Sequence, residues 1–274
     1  MQENINSLMI GSVYQTKQGL FCVDPRDQVV GKQLIESGSF GQGEIAMISL
    51  FLREHSKVLM LGGHIGSLVI PLSKKVSELT VFEANPDTYR LLKINLEINQ
   101  CANVRHYNLA ANDKHGELQF VMNTVNSGGS KRMPIEKDNA FFYDNPEVRT
   151  VAAAKLDDLL LGKLFDLIFM DIEGSEYFAM KGMPKLIEKS TVLISEFLPH
   201  HLSKVAGVSV DDFLNCLSDF KTMIVPSIRK TVYKDEMHDV LSKMYAAGVG
   251  EAGLIFHKEK IVVNFNPAPV KTEN

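Results

Sequence analysis

The chain predicts an α/β domain with a twisted, mostly parallel sheet covered by helices on both faces. Apolar strand-like runs alternate with helical segments along the chain, which favours parallel strands joined by helical crossovers. One run, 57–61, ends in the glycine loop 62–66 and leads into a helical segment. The following run, 78–83, ends in the carboxylate Glu83. This order indicates a nucleotide-type pocket at the carboxyl edge of the sheet.

The bulk composition is that of an ordinary globular protein. Of 274 residues, 45% are hydrophobic and 23% charged, and the net charge of −4 gives no electrostatic footprint for nucleic acid or an anionic membrane. Three scattered cysteines, Cys22, Cys101 and Cys216, argue against a disulfide scaffold or a structural zinc. The start of the chain lacks a signal-peptide pattern, and the apolar stretch 58–72 is interrupted, so we expect a cytoplasmic protein.

The chain divides into a predicted N-terminal extension (1–44), a main domain (45–262) and a C-terminal tail (263–274). Within the extension we expect short extended pieces over 10–30 and a helix near 27–37. Further strands are predicted at 103–108, 116–122, 148–153, 165–170, 191–196, 221–226 and 252–257. Helices are predicted at 43–54, 65–74, 86–99, 156–161, 175–188 and 210–219. Segment 123–147 is polar and breaks this rhythm, which predicts a lid-like insert over the carboxyl edge.

The glycine loop supplies the first candidate ligand contacts. Gly62, Gly63 and Gly66 could let the backbone approach a ligand, although a tight strand-to-helix turn also explains them. The loop does not match the GxGxxG dinucleotide pattern, so a ligand without a pyrophosphate, such as S-adenosylmethionine, suits it better. His64 lies inside the loop and could contact cofactor or acceptor, or be a solvated turn residue.

Polar residues at the ends of the next two strands complete the predicted cofactor site. Glu83 could accept hydrogen bonds from both ribose hydroxyls, with Ala84 and Asn85 beside it; Asn85 also precedes Pro86 and should cap the following helix. At the end of the third strand, Asn108 or Asp113 could meet the polar edge of adenine, while Leu109 and Ala110 flank its face. A polar turn is the alternative explanation for that segment.

The strongest concentration of charge follows the most apolar strand. Asp171, Glu173 and Glu176 lie within six residues, which packing alone would not select. We predict that Asp171 and Glu173 face the methionine end of the cofactor or the acceptor, where a carboxylate could accept a hydroxyl proton. Glu176 is interpreted as an exposed charge in the first turn of a helix.

A metal site at this edge is the less favoured alternative. Glu196 ends the next strand and His200 and His201 follow it, so Asp171, Glu173, Glu196 and a histidine could surround a divalent cation. Their spacing fits no established ligand motif. We therefore predict no metal site.

At these residues the chain resembles the FkbM-type family of S-adenosylmethionine-dependent methyltransferases, which are mostly O-methyltransferases. The similarity covers roughly residues 37–198. Its most specific element is Asp171-Ile172-Glu173-Gly174-Ser175-Glu176. Other elements are the glycine loop, residues 81–86, 95–99, 108–111 and 155–159, and Glu196.

The resemblance implies a seven-stranded class I (Rossmann-like) methyltransferase fold. It also implies that Glu83 binds the ribose, that Gly62 and Gly66 hold the methionine portion, and that Asp171 and Glu173 form the catalytic edge. Two residues depart from the family loop, which normally reads Asp-x-Gly-Ala-Asn-x-Gly. Met60 replaces the acidic residue and His64 the asparagine, and Met60 cannot bind the cofactor's ammonium group as a carboxylate would.

The functional expectation is methyl transfer from S-adenosylmethionine to a hydroxyl of a sugar or other small metabolite. The predicted partner is that small-molecule acceptor, with a homo-oligomer left open. A nicotinamide-dependent oxidoreductase is one alternative, but neither a GxGxxG loop nor a proton-relay Tyr or Lys is visible. The other is a non-catalytic protein that kept the fold, which the Met60 substitution suggests.

Overall fold

The computed structural model of the chain describes residues 10–263. The described part begins with an antiparallel hairpin of β1 (Ser12–Gln15) and β2 (Leu20–Val23), followed by helices α1 (Val30–Ser37) and α2 (Gln42–Ser49). The remaining strands are β3 (Lys57–Leu61), β4 (Glu78–Glu83), β5 (Val104–Asn108), β6 (Ala110–Ala111), β7 (Gly116–Met122), β8 (Lys131–Arg132), β9 (Glu147–Ala154), β10 (Leu167–Met170), β11 (Val192–Phe197), β12 (Thr222–Val225), β13 (Lys230–Tyr233) and β14 (Glu251–His257). The remaining helices are α3 (Val69–Ser73), α4 (Pro86–Ile98), α5 (Leu156–Leu159), α6 (Glu176–Lys181), α7 (Pro184–Lys189), α8 (Pro199–His201), α9 (Val210–Asn215) and α10 (Lys234–Ala247).

The central sheet has eight strands in the order β13-β12-β14-β11-β10-β3-β4-β5. Strands β11, β10, β3, β4 and β5 pair in parallel, whereas β14 runs antiparallel to both β11 and β12. The predicted mostly parallel sheet of seven strands is therefore confirmed. Strand β13, which pairs antiparallel with β12, adds an eighth strand that the sequence analysis did not predict.

A second sheet of four strands has the order β6-β9-β7-β8. The sequence predicts β7 and β9 as extended segments but not their antiparallel pairing in a separate sheet. Strand β8 comes from the predicted insert 123–147, so part of that insert pairs with β7. The second sheet continues directly from the end of β5 and lies beside the carboxyl edge of the central sheet.

Among the described residues, two large apolar clusters pack on the two faces of the central sheet, and a third, smaller cluster belongs to the second sheet. Side chains of a strand alternate between the faces, so Leu59 and Leu61 of β3 pack in one cluster while Val58 and Met60 pack in the other. This two-sided burial explains why β3 and β10 are continuous apolar runs. Met60 is fully buried, so its position in this chain is a core position.

The longest differences from the predicted helices lie in two regions, and the short helix α8 was also not predicted. The predicted helix 175–188 is two helices, α6 and α7, because Pro184 has no N–H to donate and begins the second helix. Helix α10 was not predicted, although Met237, Leu241 and Met244 are buried at helical spacing. This helical spacing is the feature of the sequence from which α10 could have been predicted.

The described residues include no helix that is both long enough and apolar enough to cross a bilayer. The predicted tail begins at 263 and lies almost wholly outside the described residues, as do residues 1–9 of the predicted extension. The domain boundaries given above stay a prediction.

Asn95 ties the N-terminal hairpin to the central domain. This fully buried residue of α4 accepts from the Cys22 N–H (2.6 Å) and donates to the carbonyls of Cys22 (3.1 Å) and Ile65 (2.8 Å). The amide pairs with the backbone of β2 as a neighbouring strand would, and it also holds the end of the glycine loop. Buried backbone groups that lose such partners cost free energy.

Asn95→Ala should therefore lower the free energy of unfolding by about 2–4 kcal/mol, because it leaves buried backbone groups without partners. Urea denaturation followed by circular dichroism measures this. Lys93→Ala, at an exposed position of the same helix, is the matched control and should change stability by less than about 0.5 kcal/mol. Equal losses in the two variants would contradict the tethering role.

Candidate functional site

A cavity of about 250 Å³ lies at the carboxyl ends of β3, β4 and β10, close to the lower size limit of small-molecule sites. The structure brings together most of the predicted site residues there. Those that line it are Gly62, Gly63, His64, Glu83, Ala84, Leu109, Ala110, Asp171 and Glu173.

Three predicted cofactor residues, Gly66, Asn85 and Asn108, do not line this cavity and instead support residues that do. The Asn85 side chain accepts from the first turn of α4, as its predicted capping role requires. The Asn108 amide donates to the carbonyls of Glu83 (2.8 Å) and Ala84 (3.1 Å). Gly66 closes the glycine loop by donating to the Gly63 carbonyl (2.9 Å).

The loop contains glycines because neighbouring residues of the protein pack closely against its backbone. Gly62 has φ +90°, and a Cβ there would lie 1.9 Å from the Asp171 carbonyl oxygen. A Cβ on Gly63 would lie 2.4 Å from the Val81 side chain. Both N–H groups donate to the Phe82 carbonyl, at 2.9 and 3.1 Å. The tight-turn explanation thus accounts for these two glycines, while the loop still forms one wall of the cavity.

The Glu83 carboxylate is held by three donors from the protein. Oε2 accepts from the His64 N–H (2.7 Å), and Oε1 accepts from the Asn85 N–H (2.8 Å) and the Thr88 hydroxyl (3.0 Å). Glu83 is 7% exposed, and burial raises its pKa although these hydrogen bonds act to lower it. A carboxylate offers about four acceptor positions, so this one retains capacity toward the cavity.

His64 connects three separate segments above the cavity. It has φ +46°, and its Nε2 lies 2.6 Å from the Ser127 hydroxyl, which donates to Asp27. Since that hydroxyl proton points to Asp27, Nε2 carries the proton shared with Ser127. Burial lowers the pKa of His64 to about 4, so the ring is neutral near pH 7. The solvated-turn alternative is therefore wrong for His64.

Asp171 and Glu173 occupy different electrostatic environments on the same wall. Burial, followed by repulsion from Glu173, raises the pKa of Asp171 well above its ordinary value, and within residues 10–263 no hydrogen bond to its carboxylate opposes this. Glu173 has φ +54°, a strained conformation for a non-glycine residue. Its Oε2 lies 3.2 Å from the Lys131 ammonium.

Glu196 and His201 extend this polar wall beyond Glu173. His201 Nε2 lies 3.5 Å from Glu173 Oε2, and its Nδ1 lies 3.8 Å from Glu196 Oε2. Burial raises the pKa of Glu196 well above its usual range, with further repulsion from Asp171 and Glu173. Burial and the Lys131 charge lower the pKa of His201 to about 3, so its imidazole is neutral.

Glu176 differs from its predicted role as an exposed charge. It is buried, and its Oε1 accepts from the Ile172 N–H at 2.9 Å. Burial, together with repulsion from Glu173, raises its pKa to about 7. The prediction of exposure was wrong because the chain turns at 172–175, so the first turn of α6 faces back into the domain.

Several lining residues were not found by sequence reasoning. Val29, Val30 and Phe40 come from the N-terminal segment, and Phe120 from the second sheet. Apolar residues of this kind carry no distinguishing pattern. Ser127 belongs to the insert that was predicted to cover this edge, and the lining includes other residues of that insert.

The strand order, with antiparallel β14 between β11 and β12, and a cavity at the carboxyl ends of the parallel strands define a class I, Rossmann-like methyltransferase fold. A family model described as the methyltransferase FkbM domain matches residues 61–246. The chain belongs to this FkbM methyltransferase family, as the sequence resemblance implied.

Solved structures with similar folds are distant in sequence. Methyltransferase FkbM from Methylobacillus flagellatus KT is 16% identical (TM-score 0.44), and the match covers 74% of this chain but only 44% of that chain. A TehB-like SAM-dependent methyltransferase from Corynebacterium glutamicum is 12% identical, with 83% and 94% coverage and a TM-score of 0.45. M. jannaschii TYW2, in complex with AdoMet, is 14% identical, with 90% and 84% coverage and a TM-score of 0.43. No curated protein matches the chain.

The raised pKa of Glu176 predicts a pH-dependent stability. Between pH 4.5 and about 7 the folded protein retains a proton that the unfolded chain loses, so this group's contribution to stability falls as pH rises through that window. Glu176→Gln removes this dependence. As the pH rises from 4.5 to 8, the free energy of unfolding of the variant should therefore increase relative to that of wild type by on the order of 3 kcal/mol.

Urea denaturation at pH 4.5 and 8 measures this difference. Glu188→Gln, at an exposed position of α7, is the control and should follow the wild-type pH profile. A Glu176→Gln profile parallel to that of wild type would contradict the assignment.

Proposed function

We propose that this chain transfers the methyl group of S-adenosylmethionine to a hydroxyl of a sugar or another small metabolite. The observation that carries the proposal is that Glu83 lines the same cavity as Asp171 and Glu173. One wall offers a partly satisfied carboxylate suited to a ribose, and the other offers carboxylates suited to a reacting hydroxyl.

The cavity residues fit an adenosyl group. Glu83 retains acceptor capacity for a ribose hydroxyl, and the apolar side chains of Leu109, Ala110 and Phe120 line the neighbouring wall, where adenine would pack. Met60 contributes nothing here because it is a core residue. In this proposal the polar groups that face the methionine end are instead those of Asp171 and Glu173.

S-adenosylmethionine would supply an activated methyl group, transferred as the acceptor's oxygen–carbon bond forms and the carbon–sulfur bond breaks. The protein has to align the acceptor and take its hydroxyl proton. Asp171 suits that second task because its raised pKa favours uptake of a proton and no described donor occupies its carboxylate. Glu173, paired with the Lys131 ammonium, suits positioning better.

Calorimetry with S-adenosylhomocysteine and NAD⁺ tests the class of ligand. We expect binding of the first and not of the second. Transfer from methyl-labelled S-adenosylmethionine to a panel of sugars and hydroxylated metabolites then tests the reaction. Binding of NAD⁺ alone would support the oxidoreductase alternative, and binding of neither compound would support a non-catalytic protein.

Glu83→Gln should weaken S-adenosylhomocysteine binding by about 10- to 100-fold, because a charged acceptor for the ribose is lost. The measurement is the Kd from calorimetry. Glu78→Gln, at the opposite end of β4, is the control, since Glu78 pairs with Arg105 and Lys163 away from the cavity. Indistinguishable Kd values for the two variants would remove Glu83 from the ribose site.

Asp171→Asn should lower kcat for methyl transfer by about 10²- to 10⁴-fold, because the amide cannot accept the hydroxyl proton. The Kd for S-adenosylhomocysteine should change less than threefold. Asp239→Asn, on the exposed face of α10, is the control and should leave both quantities unchanged. An Asp171→Asn enzyme with wild-type kcat would exclude this residue as the base.

A further inference from the structure

Beside the proposed reaction centre, three side chains converge from separate elements. Glu173 follows β10, Glu196 lies in β11 and His201 ends α8. One ligand-type atom from each lies within 4.8 Å of the others. Donor atoms bound to a common ion at about 2.1 Å are roughly 3–3.5 Å apart. The two shortest contacts involve different ring nitrogens, with Nε2 3.5 Å from Glu173 and Nδ1 3.8 Å from Glu196, so a single ion would use one of these nitrogens together with the two carboxylates.

The His201 imidazole lacks a hydrogen bond that burial would normally require. Residue His201 is 5% exposed, and its Nδ1 has no hydrogen-bond partner within residues 10–263. An orphaned buried polar atom is costly and calls for an explanation. This nitrogen faces Glu196, so the missing partner belongs between the ring and that carboxylate.

The Glu196 carboxylate also lacks a compensating positive charge. Lys131 lies 3.2 Å from Glu173, but within the described part of the chain the only basic group within 4 Å of the Glu196 carboxylate is the His201 ring. A largely buried carboxylate is normally paired with a cation or coordinates a metal. A cation between Glu196 and His201 would satisfy both residues at once.

We propose that Glu173, Glu196 and His201 bind one divalent transition-metal ion, of the Mn²⁺ or Zn²⁺ type. Two carboxylates and an imidazole are the oxygen and nitrogen ligands that such borderline ions accept, and three protein ligands leave positions open for substrate. This proposal departs from the sequence-based prediction of no metal site. It also differs from the four-residue alternative, because Asp171 is not a ligand.

The orientation of the imidazole is supported by its neighbours. Phe141, from the insert, packs against both histidines, with ring centroids 5.7 Å from His201 and 6.2 Å from His200. The Lys131 ammonium lies 5.5 Å from the centre of the same Phe141 ring. The insert therefore holds the His201 imidazole and the Lys131 ammonium in place.

The role of the ion rests on the proposed function. An ion at this place would bind the acceptor hydroxyl next to Asp171 and make its proton easier to remove. An acceptor that offers two neighbouring oxygens, such as a vicinal diol, would fill two open positions. The metal would thereby select the acceptor while Glu83 selects the cofactor.

Titration of the chelator-treated full-length protein with Mn²⁺, followed by electron paramagnetic resonance, tests the site directly; Zn²⁺ calorimetry is the second probe. We expect one ion per chain. Glu196→Gln and His201→Gln should each weaken binding at least tenfold. His200→Gln is the matched control because His200 is adjacent and exposed, and it should stay within twofold of wild type.

Lys131→Met gives an independent check, since removal of a positive charge beside Glu173 should tighten Mn²⁺ binding severalfold. No binding by the wild type at 1 mM Mn²⁺ or Zn²⁺ (roughly the weakest affinity of interest) would overturn the proposal, as would equal losses in His200→Gln and His201→Gln. Should His201→Gln fail to fold, Glu196→Gln decides.

S-adenosylhomocysteine binding separates the two proposals. If the wild type binds S-adenosylhomocysteine but no metal, the metal site fails and the proposed methyl transfer stands. If it binds one metal ion through these residues but not S-adenosylhomocysteine, the metal site stands and the proposed methyl transfer fails.

Discussion

The close approach of β3 and β10 at their carboxyl ends is the constraint on which the site depends. Gly62 lies so near the Asp171 carbonyl that no side chain fits between them. This contact puts the glycine loop and the acidic segment on facing walls of one cavity. The N–H groups of the loop donate to the Phe82 carbonyl of β4 and to the Glu83 carboxylate.

The cavity edge concentrates buried carboxyl groups whose ionisation opposes folding. Burial raises the pKa values of Glu83, Asp171, Glu176 and Glu196 together. An edge built for stability alone would carry apolar residues, since buried like charges oppose folding. Groups whose pKa values are shifted by burial and by each other are typical of functional sites.

Sequence reasoning succeeded where a local pattern carried the information. Continuous apolar runs located β3 and β10, and the position of Glu83 at the end of β4 placed it at the cavity. It failed where the outcome depended on distant contacts. Glu176 looked like an exposed helix-start charge, yet the turn before α6 buries it. Lys131 had no signal, because nothing in a polar loop indicates which lysine will reach Glu173.

The sequence by itself determined the alternation of the central strands with their crossover helices and the carboxylates at the strand ends, since these follow from residue periodicity and from short motifs. Only the tertiary structure decided that Asp27, His64 and Ser127 form one network, and that His201 lies between Glu173 and Glu196. The physical reason is that such groupings arise where separate crossovers end at one edge of the sheet. Packing sets the distances between these residues in the folded protein, and it produces no regular spacing in the sequence.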